Sequence, residues 1–239
     1  MISAEGRTLG HPAVVLACLS LASGCTDVLT FAKLGEVFTS AMTGNTALLG
    51  IAIGRGQMLA ASRSLTALFG FVAGASVAAL IYNLARTDER LGAGLRRLLF
   101  VEIVCLGGCT ILWSLSGETI APARLYTIIL LSAFSMGIQG IAAQRISSSG
   151  ISTIVFTSAL IRIVTSFTGM LMHLAGAADA RVSTRGHLAT FAAYAGGAAF
   201  TGLLLSHDIG LLKWIPFAAV LWAFGLSLLP VSKGESVAL

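Results

Sequence analysis

The chain has 239 residues, 56% hydrophobic and 10% charged, with a mean hydropathy of +0.91 and a net charge of +5. Soluble domains run about 45–50% apolar and about 25% charged, so these few charges cannot cover a water-facing surface of this size. The basic residues fall between apolar runs, where topology-setting charges belong, which argues for a lipid bilayer as the partner and against nucleic acid.

The first apolar segment covers about 11–33. It holds LASGC at 21–25, which resembles a lipoprotein cleavage box, but the apolar run resumes at once with VLTFAKLG after Asp27. A retained membrane helix is therefore expected. Ser20, Ser23 and Asp27 share one helical stripe, and Lys33 closes the segment. A carboxylate at the centre of a membrane helix costs about 2.5–3.5 kcal/mol on insertion scales. Asp27 is six residues from the segment's end, about 9 Å at the helical rise, so its cost is lower. Two roles stand open for it: coupling to a proton or cation, or a structural partner on a neighbouring helix.

The second segment, 37–54, contains FTSAMTGNTALLG, with Thr39, Ser40, Thr43, Asn45 and Thr46 in an otherwise apolar setting. Thr-Gly-Asn is poor helix-forming sequence. It reads either as a binding element or as threonines bonding back to their own helix around a packing notch at Gly44. Segment 64–85 carries Gly70, Gly74 and Ala78, a seam for close helix approach. Segment 98–114 carries Glu102 and two of the four cysteines, Cys105 and Cys109; like Cys18 and Cys25 they lack metal-site neighbours and read as packing residues.

Segment 123–144 repeats the first stripe: Ser132, Ser135, Gln139 and Arg145 stand 112 residues after Ser20, Ser23, Asp27 and Lys33. In segment 151–172, Thr153 and Thr157 stand 114 residues after Thr39 and Thr43, and Arg162 lies mid-segment, with Glu102 its candidate partner. Segments 188–206 and 211–230 complete the chain; the former carries a second small-residue seam, Ala193, Gly197 and Thr201. These matches point to an internal duplication.

The stretch Gly24, Asp27, Thr43, Gly44, Asn45, with the later Gly137, Gln139, Thr153 and Thr157, resembles the signature of the YoaK family, bacterial polytopic membrane proteins. The chain departs from that pattern at Ser158 and at Gly140. The resemblance implies a multi-pass protein of the bacterial inner membrane and implies no chemistry.

The expected fold is all-α: one membrane domain over 1–239, six to eight segments, in two repeated halves of about 8–114 and 122–230. If 37–54 and 151–172 do not cross, the side holding both tails carries nine basic residues against five and is cytoplasmic; if they cross, the charges split evenly. The expected role is a secondary carrier of a small polar or ionic solute. Its candidate binding residues are Ser23, Asp27, Thr43, Asn45, Ser135, Gln139 and Thr157. A coupling cation is the candidate partner; no cofactor, resident metal or catalytic residue is expected. The rival is a non-transporting assembly factor or sensor subunit. An enzyme is disfavoured because neither H-E-x-x-H nor G-x-S-x-G occurs.

Overall fold

A computed structural model describes residues 11–85, 91–117, 120–146, 160–161, 163–165, 168, 177–207 and 210–229. Seven helices are described in full: α1 Pro12–Lys33, α2 Met42–Gly54, α3 Met58–Ala85, α4 Leu91–Ser114, α5 Pro122–Ile146, α6 Ala177–Leu205 and α7 Ile215–Leu228, the last preceded by a 3-10 turn, Gly210–Trp214. Proline opens α1 and α5, where its missing N–H costs nothing.

Five stretches are long and apolar enough to cross a bilayer: α1, α3, α5, α6 from Gly186, and Gly210–Leu228. The 24 residues of α4 rise about 36 Å, also more than the roughly 30 Å of hydrocarbon. The 13 residues of α2 rise only about 20 Å and fall short. Its expected segment, 37–54, begins with residues that compete with helix propagation: Thr39 and Ser40 stay outside the helix, where their hydroxyls and N–H groups find local partners.

Side-chain bonds fix the directions of the helices. Ser62 of α3 meets Tyr126 of α5 at 2.6 Å, and Arg145 at the end of α5 lies 4.5 Å over the Tyr82 ring of α3, so these two run parallel. Cys109 donates to the Ile128 carbonyl at 3.6 Å and Ser135 to the Glu102 carbonyl at 3.2 Å, so α4 runs antiparallel to α5. Gln139 reaches the Leu19 carbonyl while Met136 lies beside Ser23, so α1 is antiparallel to α5 as well. Gly197 of α6 abuts Leu21, and Leu204 and Leu205 pack with Leu29 and Leu34, so α6 runs with α1. Finally Arg96, near the start of α4, donates to the carbonyl of Ser227 at the end of α7.

The result is six through-going helices among the described residues: α1, α4 and α6 run towards the end of the bundle marked by Lys33, and α3, α5 and α7 run away from it. The chain between α1 and α3 leaves and re-enters at the Lys33 end, and Arg63 of α3 donates to the Gly35 carbonyl there. The chain between α5 and α6 leaves and re-enters at the opposite end. Segment 151–172 falls almost wholly outside the described residues.

Two apolar clusters fill the interior. One joins Val15, Leu19, Leu98, Leu99, Ile138 and Val220; the other joins Leu29, Leu34, Val37, Trp113, Ile128 and Leu212. Large apolar side chains such as Phe69, Leu80, Val104, Leu203 and Trp222 cover the outside, as lipid contact demands. A methyl placed on Gly74 or Gly137 would overlap backbone of the facing helix in the α3–α5 pair, and one on Gly24 or Gly197 would do so in the α1–α6 pair. These are glycine seams of the kind that hold membrane helices together.

Candidate functional site

The return loop between α1 and α2 is built on Asp27. Burial leaves this carboxylate 1% exposed, and five donor contacts offset the lost water. One oxygen accepts from the backbone N–H of Thr39 at 2.9 Å and of Ser40 at 2.8 Å, with the Thr39 hydroxyl at 3.5 Å. The other accepts from the Ser40 hydroxyl at 2.6 Å and from the Tyr194 hydroxyl at 2.8 Å. The loop is thereby drawn back along α1, one to two turns inside the helix end. Gly35 and Glu36 turn the chain with positive φ, at 86° and 63°, and their N–H-side closure is the bond from Glu36 N to the Phe31 carbonyl at 3.1 Å.

Asn45 locks the same loop from the other side. Its Oδ1 accepts from the Phe38 N–H at 2.9 Å and its Nδ2 donates to the Phe38 carbonyl at 2.6 Å. The Phe38 ring stacks on Phe31 with centroids 4.8 Å apart, and a side chain on Gly44 would collide with that ring. The three letters of Thr-Gly-Asn thus have separate duties. Asn45 ties the loop and Gly44 makes room for Phe38. Thr43 is exposed, so the expectation that it lines an internal pocket is corrected: on the first turn of α2 its position falls on the outer face. Thr46 is exposed too and bonds back to the Met42 carbonyl at 3.0 Å.

A second polar layer joins α1, α4 and α5. Gln139 is fully buried and its Nε2 donates to the Leu19 carbonyl at 2.9 Å and to Ser23 Oγ at 2.6 Å. Ser135 donates to the Glu102 carbonyl. Glu102 itself is 0% exposed, and among the described residues neither of its carboxyl oxygens has a hydrogen-bond partner; Gln139 Oε1 and Ser20 Oγ are likewise buried and unpartnered there.

The expected residues therefore fall into two groups. Asp27 and Asn45 meet through the loop 38–40, and Ser23, Ser135 and Gln139 meet at the α1–α5 junction. Ser23 and Asp27, one turn apart on α1, connect the groups. Thr43 stands apart, and Thr157 and Arg162 lie outside the described residues. Two contributors escape the sequence reading. Tyr194 is one of only three tyrosines, a polar tip within an apolar run, which is the signal that marks it. Glu102, read from the sequence as a candidate partner of Arg162, is fully buried; Arg162 lies outside the described residues.

At the Lys33 end a cavity of about 590 Å³ opens between the ends of α1, α4 and α6 and the starts of α3 and α5. Lys33, Arg63 and Lys213 line it together with Trp113 and Ser116. Glu118 and Asp208, in the adjoining turns, lie outside the described residues.

Comparison with known proteins gives the lineage. A family model described as "Protein of unknown function (DUF1275)" matches residues 15–226. The chain is 35% identical over 158 residues to the "UPF0700 transmembrane protein YoaK" of Bacillus subtilis (strain 168), covering 66% of this chain and 68% of that one. No solved structure matches.

Proposed function

Because the chain belongs to the DUF1275 family, with the transmembrane protein YoaK as a relative, we propose that this multi-pass membrane protein is a secondary carrier of a small polar or ionic solute in the bacterial inner membrane. The observation that carries the reading is the set of helix directions. Residues 34–57 join α1 to α3 at one face of the bundle, and among the described residues α5 ends and α6 begins at the other. Helices α1 and α5, which carry the matching stripes, run in opposite directions, and halves of opposite direction are an architecture in which alternating access is known to work.

The glycine seams support the duplication. Gly70, Gly74 and Ala78 of α3 stand 123 residues before Ala193, Gly197 and Thr201 of α6. The first set packs on α5 and the second on α1. Helices α1 and α5 are themselves the carriers of the matching Ser-Ser-polar stripes. Helix α3 thus clasps α5, and α6 clasps α1.

In this reading the solute enters from the cavity beside Lys33, Arg63 and Lys213, whose three cations favour an anionic group. The loop held by Asp27 and Asn45 follows directly on Leu34 and Gly35, which line that cavity. The six-crossing count sets Arg7, Arg86, Arg90, Arg96, Arg97, Arg145, Arg181, Arg185 and Lys233 on the tail face, against Lys33, Arg55, Arg63, Arg124 and Lys213 on the other. Both tails are therefore cytoplasmic.

The test is current recording on proteoliposomes adsorbed to a solid support, challenged with carboxylates, amino acids, sugars and inorganic anions. At least one solute should give a saturable current or exchange flux absent from empty liposomes. A folded, monodisperse protein that moves none of them defeats the carrier reading. The rival, a non-transporting assembly factor or sensor subunit, has one observation in its favour: the Asp27 carboxylate is already saturated by protein donors. It predicts that disturbing the Asp27 loop changes the recovery of co-purifying membrane partners and moves no flux.

A further inference from the structure

Glu102 is the outstanding unexplained group of the bundle, and its position follows from register. Cys109 meets Ile128 and Ser135 meets Glu102 across the antiparallel α4–α5 pair. Continuing that register one turn sets Gln139 opposite Leu98. A helical side chain leans towards its own N-terminus, which on α4 is the direction of Leu98. The Glu102 carboxyl therefore lies between the levels of Ser135 and Gln139, and the Gln139 amide leans back along α5 towards the same level.

The orientation of the Gln139 amide is set by chemistry as well. The Leu19 carbonyl can only accept, so the amide nitrogen must face it. That leaves Oε1 on the other side with no donor. Ser20, one residue from Leu19, adds a fourth unpartnered buried oxygen, that of a hydroxyl. A buried carboxylate and amide oxygen without donors are costly in a low-dielectric interior unless something positive sits with them. Among the described residues, the polar groups nearest in register are Ser132, Ser135 and Gln139 on α5, Ser20 and Ser23 on α1, and Cys105 on α4, while α3 brings Tyr82, under the Arg145 guanidinium, to the neighbouring apolar cluster. Helix α7 faces this layer with Val220 and Ala223 and no charge. Among the described residues no three His, Cys, Asp or Glu side chains gather as a metal site, so a transition metal does not suit the layer.

We propose that Glu102 and Gln139 form an intramembrane site for a small hard monovalent cation, a proton or a sodium ion, at the junction of α1, α4 and α5. The site names the coupling ion class of the proposed carrier and rests on that reading for its purpose, though not for its existence. One turn of α1 separates Ser23, which Gln139 bonds, from Asp27, so loading the site bears on the helix that holds the 38–40 loop.

The experiment is labelling of the purified full-length protein in detergent with dicyclohexylcarbodiimide. This reagent takes the proton of a carboxylic acid onto one nitrogen while the carboxyl oxygen adds to its central carbon. The adduct rearranges to an N-acylurea, with the whole reagent retained and nothing leaving. Intact mass and peptide mapping should find one adduct, on Glu102, absent from Glu102→Gln and retained in Glu102→Asp and in Glu36→Gln, whose carboxyl is at the exposed loop. Loss of labelling on adding NaCl but not choline chloride identifies sodium. Loss only on raising pH identifies a proton. Labelling of Glu102 that neither treatment changes, or no labelling of Glu102 in a folded protein, overturns the site. Because no solute is involved, the two readings fail separately: a labelled Glu102 without any flux sinks the carrier, and flux without labelling sinks the site.

Discussion

A carboxylate that accepts from two backbone N–H groups and two hydroxyls has no lone pair to spare for a passing solute. Asp27 is in that state, so its first duty is to hold the loop 38–40 against α1 and α6. Hydrogen bonds to a charged group contribute roughly 1.5–3 kcal/mol each, and not additively. Asp27→Ala should therefore lower stability by about 3 kcal/mol or more, read as a large fall in melting temperature of the detergent-purified protein. Asp27→Asn should lose a good part of the same amount, since its NH₂ would point a donor at other donors; unchanged melting of Asp27→Asn would show that these bonds are not formed. Removal of the two-way bond between Asn45 and Phe38 predicts a loss of about 1–3 kcal/mol in Asn45→Ala. The matched exposed change, Thr43→Ala, should be nearly silent. The sequence could single out Asp27 and Asn45 because a charge and an amide stand out at membrane depth. It could not separate them from Thr43: which turn of a helix starts outside the helix depends on the partner that captures its N–H groups, and Asp27 is 12 residues from Thr39 in the chain.

At the scale of elements, two features decide the architecture. One is the shortness of α2, whose 13 residues leave it unable to reach across hydrocarbon. The other is the contact of bare backbone in α3–α5 and α1–α6. A methyl at Gly74 or Gly137 would meet carbonyl or amide atoms that cannot swing aside. Gly74→Ala and Gly137→Ala should each cost about 1–3 kcal/mol by overpacking, and Gly24→Ala should do the same on the other pair. Gly50→Ala, where nothing lies within 4 Å of the added atom, should instead gain about 0.5–1 kcal/mol from helix propensity. Thermal melts of the four variants in one detergent check this; equal melting would show that the seams are looser than described. The seams were legible as small residues four apart, because that spacing marks one helix face. Their partners were not, because a glycine carries no side chain whose chemistry names what it touches. The helix starts were also misjudged where charged or polar turns continue a helix past its apolar part, as Arg96 and Arg97 do in α4 and Arg181 and Arg185 do in α6.

At the scale of the molecule, counting charges alone could not choose between six and eight crossings. The directions of α1, α3, α5 and α6 choose six among the described helices, and the basic residues then collect on the tail face. Alkaline phosphatase fused after Gly56 should be active, whereas a C-terminal green fluorescent protein should fluoresce; the reverse pattern would turn the molecule over in the membrane. The proposed division into halves rests on Ser20, Ser23 and Asp27 against Ser132, Ser135 and Gln139, since like faces repeat like chemistry. That α3 packs on α5 and α6 on α1 was not readable, because those contacts are between backbones. That exchange of partners bears on how the chain is made. When a ribosome has released only α1 to α4, α3 still lacks the helix it clasps and α1 still lacks α6. The emerging first half must wait in lipid as loose helices, open to quality-control proteases, until synthesis of α5 and α6 is complete.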